Sequence, residues 1–235
     1  MEETETSPAA QSPEAQSPAS QSPSPQPTQQ YFSREPSVPQ KQRTLTVRLR
    51  GVDTPVVTST GVFSEHRLDL GTSVLLKKAP QPPEQGTFLD LGCGWGPIAL
   101  ALACESPQAT VWAVDINTRA VDLCKLNALK LHRMNIHAVT DTDLDANLRF
   151  DLIWSNPPIR VGKEALHRLL LSYIPRLTPG GHGYFVVQKN LGADSLTTWL
   201  RKNLDNNFTV DRYASAKGYR VLDVASTRVK GSLSE

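Results

Sequence analysis

Apolar and polar positions repeat at two different periods along this chain, and the changes of period divide it into strands and helices. Residues 44–50 read Thr-Leu-Thr-Val-Arg-Leu-Arg, an every-second-residue pattern that predicts a strand, with 56–58 as its hairpin partner. Residues 68–77 predict a helix. Short apolar runs at 87–91, 110–115, 136–140, 150–155 and 183–188 predict buried strands, and they alternate with helical stretches at 97–104, 117–130, 163–176 and 193–203. Such alternation predicts parallel strands joined by right-handed crossovers, with helices on both faces. Residues 208–213 and 219–224 have no helix between them and predict a closing hairpin. The expected fold is therefore α/β, a mostly parallel seven-stranded sheet with a terminal antiparallel hairpin. In open sheets of this kind ligands bind outside the carboxyl ends of the strands. Asp90, Asp115, Asp141 and Asn156 all fall at such ends, which points to one site.

The first forty residues do not share this pattern. Ser-Pro pairs stand at 7–8, 12–13, 17–18, 22–23 and 24–25, spaced by Gln and Ala with almost no apolar bulk. Such a stretch cannot bury enough surface to offset its chain entropy, so residues 1–40 are expected to be a disordered, polyproline-like tail that aids solubility. The remainder, 41–235, has the size of a single domain. The start Met1-Glu2-Glu3 carries no basic segment and no apolar core, unlike a signal peptide, and no run is long enough to span a bilayer. Cys93, Cys104 and Cys124 are odd in number and lack paired metal spacing, as expected of reduced thiols in a cytoplasmic protein. The five histidines form no ligand-spaced cluster, so no metal is expected. A net charge of +2 says little about nucleic acid. Its distribution says more, because the tail is acidic and leaves the folded part more basic. Lys41, Arg43, Arg48 and Arg50 read as a solvated face. Arg160 and Lys163, just past a proline loop, read as holders of substrate phosphates.

Two motifs carry chemistry. Asp90-Leu91-Gly92-Cys93-Gly94-Trp95-Gly96 follows a strand and opens a helix, with Pro97 in the first turn where proline is tolerated. Glycines at 92, 94 and 96 let backbone approach a ligand. Asp115 ends the next strand roughly 20 residues on, where an acidic residue suits a ribose diol. A nicotinamide dinucleotide competes for such a loop. Its fingerprint, however, needs a glycine where Pro97 stands, and Trp95 places a large side chain near the pyrophosphate path. The acidic-x-Gly-x-Gly-x-Gly pattern fits the adenosyl cofactor S-adenosylmethionine better. The second motif, Asn156-Pro157-Pro158, follows the strand at 150–155. Both prolines lack an N–H and fix φ, and Pro157 pushes Asn156 out of the helical region. The loop is stiff and rich in acceptors. The Asn156 side-chain oxygen and a Pro157 carbonyl can each accept from one N–H of a planar amine, aiming its lone pair at an electrophile. The plain alternative is a proline-stiffened turn.

With these motifs the chain resembles the small-domain family of class I S-adenosylmethionine methyltransferases, and within it the catalytic half of the 16S rRNA guanine-N2 enzymes. The resemblance rests on Gly61-Val62-Phe63-Ser64, Leu68-Asp69-Leu70-Gly71-Thr72, the glycine loop, Val114-Asp115-Ile116-Asn117, Asn156-Pro157-Pro158-Ile159-Arg160 and Gly218-Tyr219-Arg220-Val221-Leu222. It covers residues 42 to 229. It implies the Rossmann-like methyltransferase fold, and cofactor contacts from Phe63, Asp90, Gly92, Gly94, Gly96, Asp115, Ile116 and Asn156. Asp141 fits the position that accepts from the adenine amine, with Asp143 as its rival. Catalysis falls to Asn156, Pro157 and Pro158, and substrate binding to Ile159, Arg160 and Lys163. The position after the two prolines is often aromatic in amino-methyltransferases and stacks on the base. Ile159 stands there, so that stacking is not carried over. Gln188 and Lys189 end a strand and either line the substrate cleft or form a plain edge.

The resemblance implies methyl transfer to guanine N2 of 16S rRNA, with ribosomal RNA or the small ribosomal subunit as partner. Because the loop recognises an sp² amine rather than one base, adenine and a protein glutamine stay open as acceptors. A non-catalytic nucleotide-binding module in ribosome assembly is the remaining reading, and an intact Asn-Pro-Pro argues against it.

Overall fold

A computed structural model describes residues 34–35 and 38–227. The Ser-Pro repeats of the expected tail lie outside the described residues. Strands β1 (Gln42–Leu49) and β2 (Val52–Ser59) form a separate antiparallel ladder. Among the described residues the main sheet has seven strands. Its order is β5 (Ile136–Thr140), β4 (Thr110–Asp115), β3 (Thr87–Leu91), β6 (Phe150–Ser155), β7 (Leu177–Gln188), β9 (Tyr219–Ser226) and β8 (Phe208–Ala216). The pairings from β5 through β7 are all parallel, and β9 runs antiparallel to both its neighbours. This is the expected Rossmann-like sheet with its terminal hairpin.

Among the described residues five α-helices flank the sheet: α1 (Leu70–Lys78), α2 (Pro97–Glu105), α3 (Thr118–Lys130), α4 (Lys163–Tyr173) and α5 (Ala193–Asn203). Successive strand residues point to opposite faces, and both faces are apolar. Phe88, Leu152 and Trp154 pack toward α1, α2, α3 and the β1–β2 ladder. Leu89, Ile153 and Phe185 pack toward α4 and α5. Each fully buried side chain of this size contributes about 1.5–3 kcal/mol relative to exposure, so both helix layers are held tightly. Arg50 shows how the ladder is fastened. Its guanidinium donates to the Leu76 and Ala79 carbonyls at 2.7 and 3.2 Å and pairs with Glu105 at 2.5 Å. This member of the basic cluster has a structural role.

The hairpin partner expected at 56–58 spans Val52–Ser59, the strand expected at 208–213 runs on to Ala216, and two further elements differ for a reason visible in the sequence. The helix expected to reach residue 176 stops at Tyr173, because Pro175 has no N–H to continue the ladder; Ile174–Arg176 tightens into a 3-10 turn. Strand β7 starts at Leu177 rather than at 183. Phe150 pairs with Leu177 and Leu152 with His182, so the residues between bulge out of register, and the glycines there masked the strand pattern. Described residues before position 41 also touch the domain. Thr118 donates its backbone N–H and its hydroxyl to the Arg34 carbonyl, both at 3.1 Å, and Arg119 donates to the Val38 carbonyl at 3.0 Å.

Candidate active site

The chain lays β3, β4 and β5 down in one direction, then returns to place β6 on the other side of β3. Loops diverge at such a reversal and leave a crevice at the carboxyl ends. The glycine loop leaves β3 there and the Asn-Pro-Pro loop leaves β6. A cleft of about 860 Å³ lies between them, within the usual size of a small-molecule site. Phe63, Gly92, Gly94, Asp115, Ile116 and Asp141 line one half. Asn156, Pro157, Pro158, Ile159 and Arg160 line the other. Asp90, Gly96, Asp143 and Lys163 do not line the cleft.

The glycine loop is held by its own backbone and by Asp115. Gly92 and Cys93 donate to the Val114 carbonyl at 2.8 and 3.0 Å. Asp115 takes the Gly94 N–H on Oδ2 and the Asn117 N–H on Oδ1, both at 2.9 Å. Burial pushes its pKa up, and the bonds from Asn117 and Gly94 oppose that shift. The Ile116 N–H also lies on this carboxylate, which has about four acceptor positions when ionised, so one remains for a ligand. Gly92 and Gly94 have φ of 78° and 54°, and a Cβ on either would meet nothing within 4 Å. Their bare backbone therefore faces open space. Gly96 serves packing instead. A Cβ there would approach the Cys124 sulfur to 2.7 Å, so this glycine lets α2 and α3 lie close together.

Asp90 lies behind the loop, fully buried, with Oδ2 accepting the Ala99 N–H at 2.9 Å. Burial pushes its pKa up to about 8; the Ala99 bond opposes the shift and the Asp115 charge adds to it. It ties the end of β3 to the start of α2. Asp141 and Asp143 also separate. Asp141 faces the cleft and pairs with Arg34 at 3.2 Å, whereas exposed Asp143 accepts from the Thr140 hydroxyl at 2.6 Å within its own turn. Trp95 is buried and does not line this cleft; it borders a small pocket beside the glycine loop and donates from Nε1 to the Ser64 carbonyl at 3.3 Å.

The proline loop is locked from two sides. Pro158 has φ −74° and ψ 75°, an inverse γ-turn closed by Ile159 N–H to the Pro157 carbonyl at 2.8 Å. One lone pair of that carbonyl is thus occupied and one is left for an amine. Asn156 Nδ2 donates to Asp69 Oδ2 at 2.8 Å and to the Thr72 hydroxyl at 3.0 Å. A carboxylate only accepts, so Asp69 fixes which end of the amide is nitrogen. Oδ1 is left to accept on the cleft side.

Asp69 and Thr72 were not among the residues expected in the site. Asp69 is the N-cap of α1 and also accepts the Thr72 N–H at 3.1 Å. Its capping pattern was legible, but nothing local shows that the helix end faces Asn156. Asn117 was likewise unassigned. It caps α3 and donates from Nδ2 to the Gly61 carbonyl at 2.9 Å, which fastens the turn bearing Phe63 against the cleft.

A family model, the methyltransferase small domain, matches residues 53–223. The chain is 34% identical over 199 residues to the uncharacterized protein YbxB of Bacillus subtilis (strain 168), covering 83% of this chain and 97% of that one. It is 36% identical over 136 residues to ribosomal RNA small subunit methyltransferase C of Shewanella halifaxensis, covering 56% of this chain and 39% of the enzyme. Among solved structures it resembles the T. thermophilus 16S rRNA N2 methyltransferase in complex with AdoMet and guanosine. The TM-score is 0.65 at 24% identity, covering 82% of this chain and 52% of that one, a likeness of fold. This chain thus spans 39% of the Shewanella enzyme and 52% of the Thermus one. With the match running from β2 into β9, through both the glycine loop and the Asn-Pro-Pro loop, the chain belongs to the methyltransferase small domain family.

Proposed function

We propose that this methyltransferase carries a methyl group from S-adenosylmethionine to an exocyclic amine, guanine N2 of 16S rRNA in the small ribosomal subunit. The observation that carries this reading is the held Asn156 amide, with Nδ2 tied to Asp69 and Thr72 and Oδ1 left as an acceptor in the cleft that the glycine loop also lines. The relatives named for 16S rRNA methylation support the choice of substrate.

The residues present fit S-adenosylmethionine. Open space over Gly92 and Gly94 admits the cofactor against bare backbone, and the remaining acceptor position of Asp115 suits a ribose hydroxyl. Asp141 is the acceptor on the cleft side for an adenine amine, and Phe63 and Ile116 offer apolar surface beside it. Binding would displace Arg34 from Asp141 or share the carboxylate with it. The cofactor supplies a methyl already activated on a sulfonium, which leaves as a neutral thioether.

The protein's part is alignment. A guanine amine is a poor nucleophile because its lone pair is delocalised into the ring. Accepting one N–H at Asn156 Oδ1 and the other at the free lone pair of the Pro157 carbonyl turns the nitrogen lone pair toward the methyl. As the carbon–nitrogen bond forms, positive charge grows on the nitrogen and both acceptors tighten. Asp69, bonded to Nδ2, polarises the amide and makes Oδ1 the stronger acceptor. The surplus proton then passes to solvent. Arg160, exposed at the rim, holds a backbone phosphate of the RNA. A base inside folded RNA must be splayed out to reach the cleft, at a cost of about a few kcal/mol.

The test is methyl transfer to small ribosomal subunits from a strain that lacks this gene, followed by mass spectrometry of the nucleosides. Appearance of N2-methylguanosine supports the reading. A methylated adenosine would reassign the base, and no transfer to RNA would overturn the substrate class.

A further inference from the structure

In-line transfer places the acceptor beyond the methyl, on the side of Asn156 away from the cofactor. The strand order defines that side. The glycine loop and Asp115 leave β3 and β4, on one side of β6, and β7 and β9 lie on the other. The antiparallel β8–β9 hairpin brings its tip to the same sheet edge as the Asn-Pro-Pro loop. Its turn is tight: Ala216 pairs with Tyr219, and Lys217 and Gly218 between them have φ of 48° and 77°. The tip is pinned to the end of β7 by Lys189 N–H to the Gly218 carbonyl at 2.8 Å. Tyr219, paired with Gln188 across β7, is thus fixed at the carboxyl edge and lines the cleft.

Its ring lies close to the amide that would hold the amine. A Cβ built on Gly71 would meet Tyr219 Cε1 at 3.0 Å, Asn156 Oδ1 at 3.2 Å and Asp69 Oδ2 at 3.0 Å. The three groups converge because Gly71 has no side chain. Burial pushes the phenol pKa up, with the Asp69 charge adding and the Arg160 charge opposing, so the hydroxyl stays neutral in the field of both groups. Tyr219 packs on the core that holds α1, while Ile159 packs on the opposite core that holds α4 and α5. The two residues therefore face the cleft from opposite sides.

We propose that Tyr219 is the aromatic wall of the acceptor pocket, the surface on which the planar ring of the substrate stacks while Asn156 takes its amine. This rests on the proposed function and names the recognition element within it. The hairpin supplies the ring that the residue after the two prolines, Ile159, does not.

The experiment measures kcat and KM for undermethylated small ribosomal subunits, together with S-adenosylmethionine affinity and melting temperature, for wild type, Tyr219→Leu and Tyr219→Phe. Loss of one stacking ring should raise KM for subunits about 10–100-fold in Tyr219→Leu. Tyr219→Phe should stay near wild type, and cofactor affinity should hold in both. Wild-type KM in Tyr219→Leu overturns the proposal, as does a matching loss of cofactor affinity. If wild type itself transfers no methyl to RNA, the functional reading fails instead. Should Tyr219→Leu not fold, ultraviolet cross-linking of wild type to the subunits decides: the cross-linked peptide should contain Tyr219, and a cross-link confined to other peptides overturns the assignment.

Discussion

Asp90 and Asp115 end neighbouring parallel strands, yet their surroundings give them different work. Asp115 is half-buried, bonded by backbone N–H groups of Gly94, Ile116 and Asn117, and lines the cleft. Asp115→Ala should weaken S-adenosylmethionine binding by about 1–3 kcal/mol, as for loss of a hydrogen bond to a charged group. Calorimetry checks it, and unchanged affinity would remove Asp115 from the cofactor site. Asp90 is sealed behind the loop with its pKa pushed up to about 8. The folded chain therefore keeps a proton there that the unfolded chain releases in the ordinary carboxylate range. Stability from this residue is greatest below that range and falls as pH rises toward about 8, because the folded state binds more protons across that window. Asp90→Asn removes the titration, so the variant should lose less stability than wild type between about pH 5 and 8. Denaturant midpoints across that range, without cofactor, measure it; parallel curves for the two proteins would contradict the assignment.

At the scale of elements, the site is an arrangement of helix starts and strand ends. Helix α1 contributes Asp69 and the gap at Gly71, and α3 contributes Asn117, which holds the Phe63 turn. The start of α3 also binds chain from before the domain, through Arg34 and Val38. A chain beginning at Arg34 should melt like the full chain. One beginning at Gln40 loses these hydrogen bonds and should melt about 2–6 °C lower. Equal melting temperatures for the two would show that these contacts contribute nothing. The strands at 87–91, 110–115, 136–140 and 150–155 were legible in the sequence to the residue, because each is a short, mostly apolar run with a polar residue at or next to its end. Glycines broke the pattern at the start of β7, and Pro175 cut the helix before it.

For the whole molecule, two apolar cores hold a sheet whose order reverses between β3 and β6, and the reversal opens the cleft. Asp115, Asp141 and Asn156, which line the cleft, were legible as candidates because each ends or directly follows a strand of that sheet. Asp69 and Tyr219 were not, because they reach the cleft from a helix start and a hairpin tip. Their placement depends on tertiary packing that no local pattern encodes. Asp90 and Gly96 belong to the same motif as Gly92 and Gly94 but act from behind it. A spacing pattern does not tell a ligand contact from its support. The central claim is that Asn156 acts on the amine during transfer rather than on the cofactor at rest. An interaction made in the transition state lowers turnover without loosening ground-state binding. The direct measurement is single-turnover methyl transfer to undermethylated small subunits by Asn156→Ala, beside titration of the same protein with S-adenosylmethionine. The rate should fall about 10²–10³-fold, as for loss of one preorganised partner, with cofactor affinity near wild type. A wild-type rate would make the loop only a rigid turn and contradict the account.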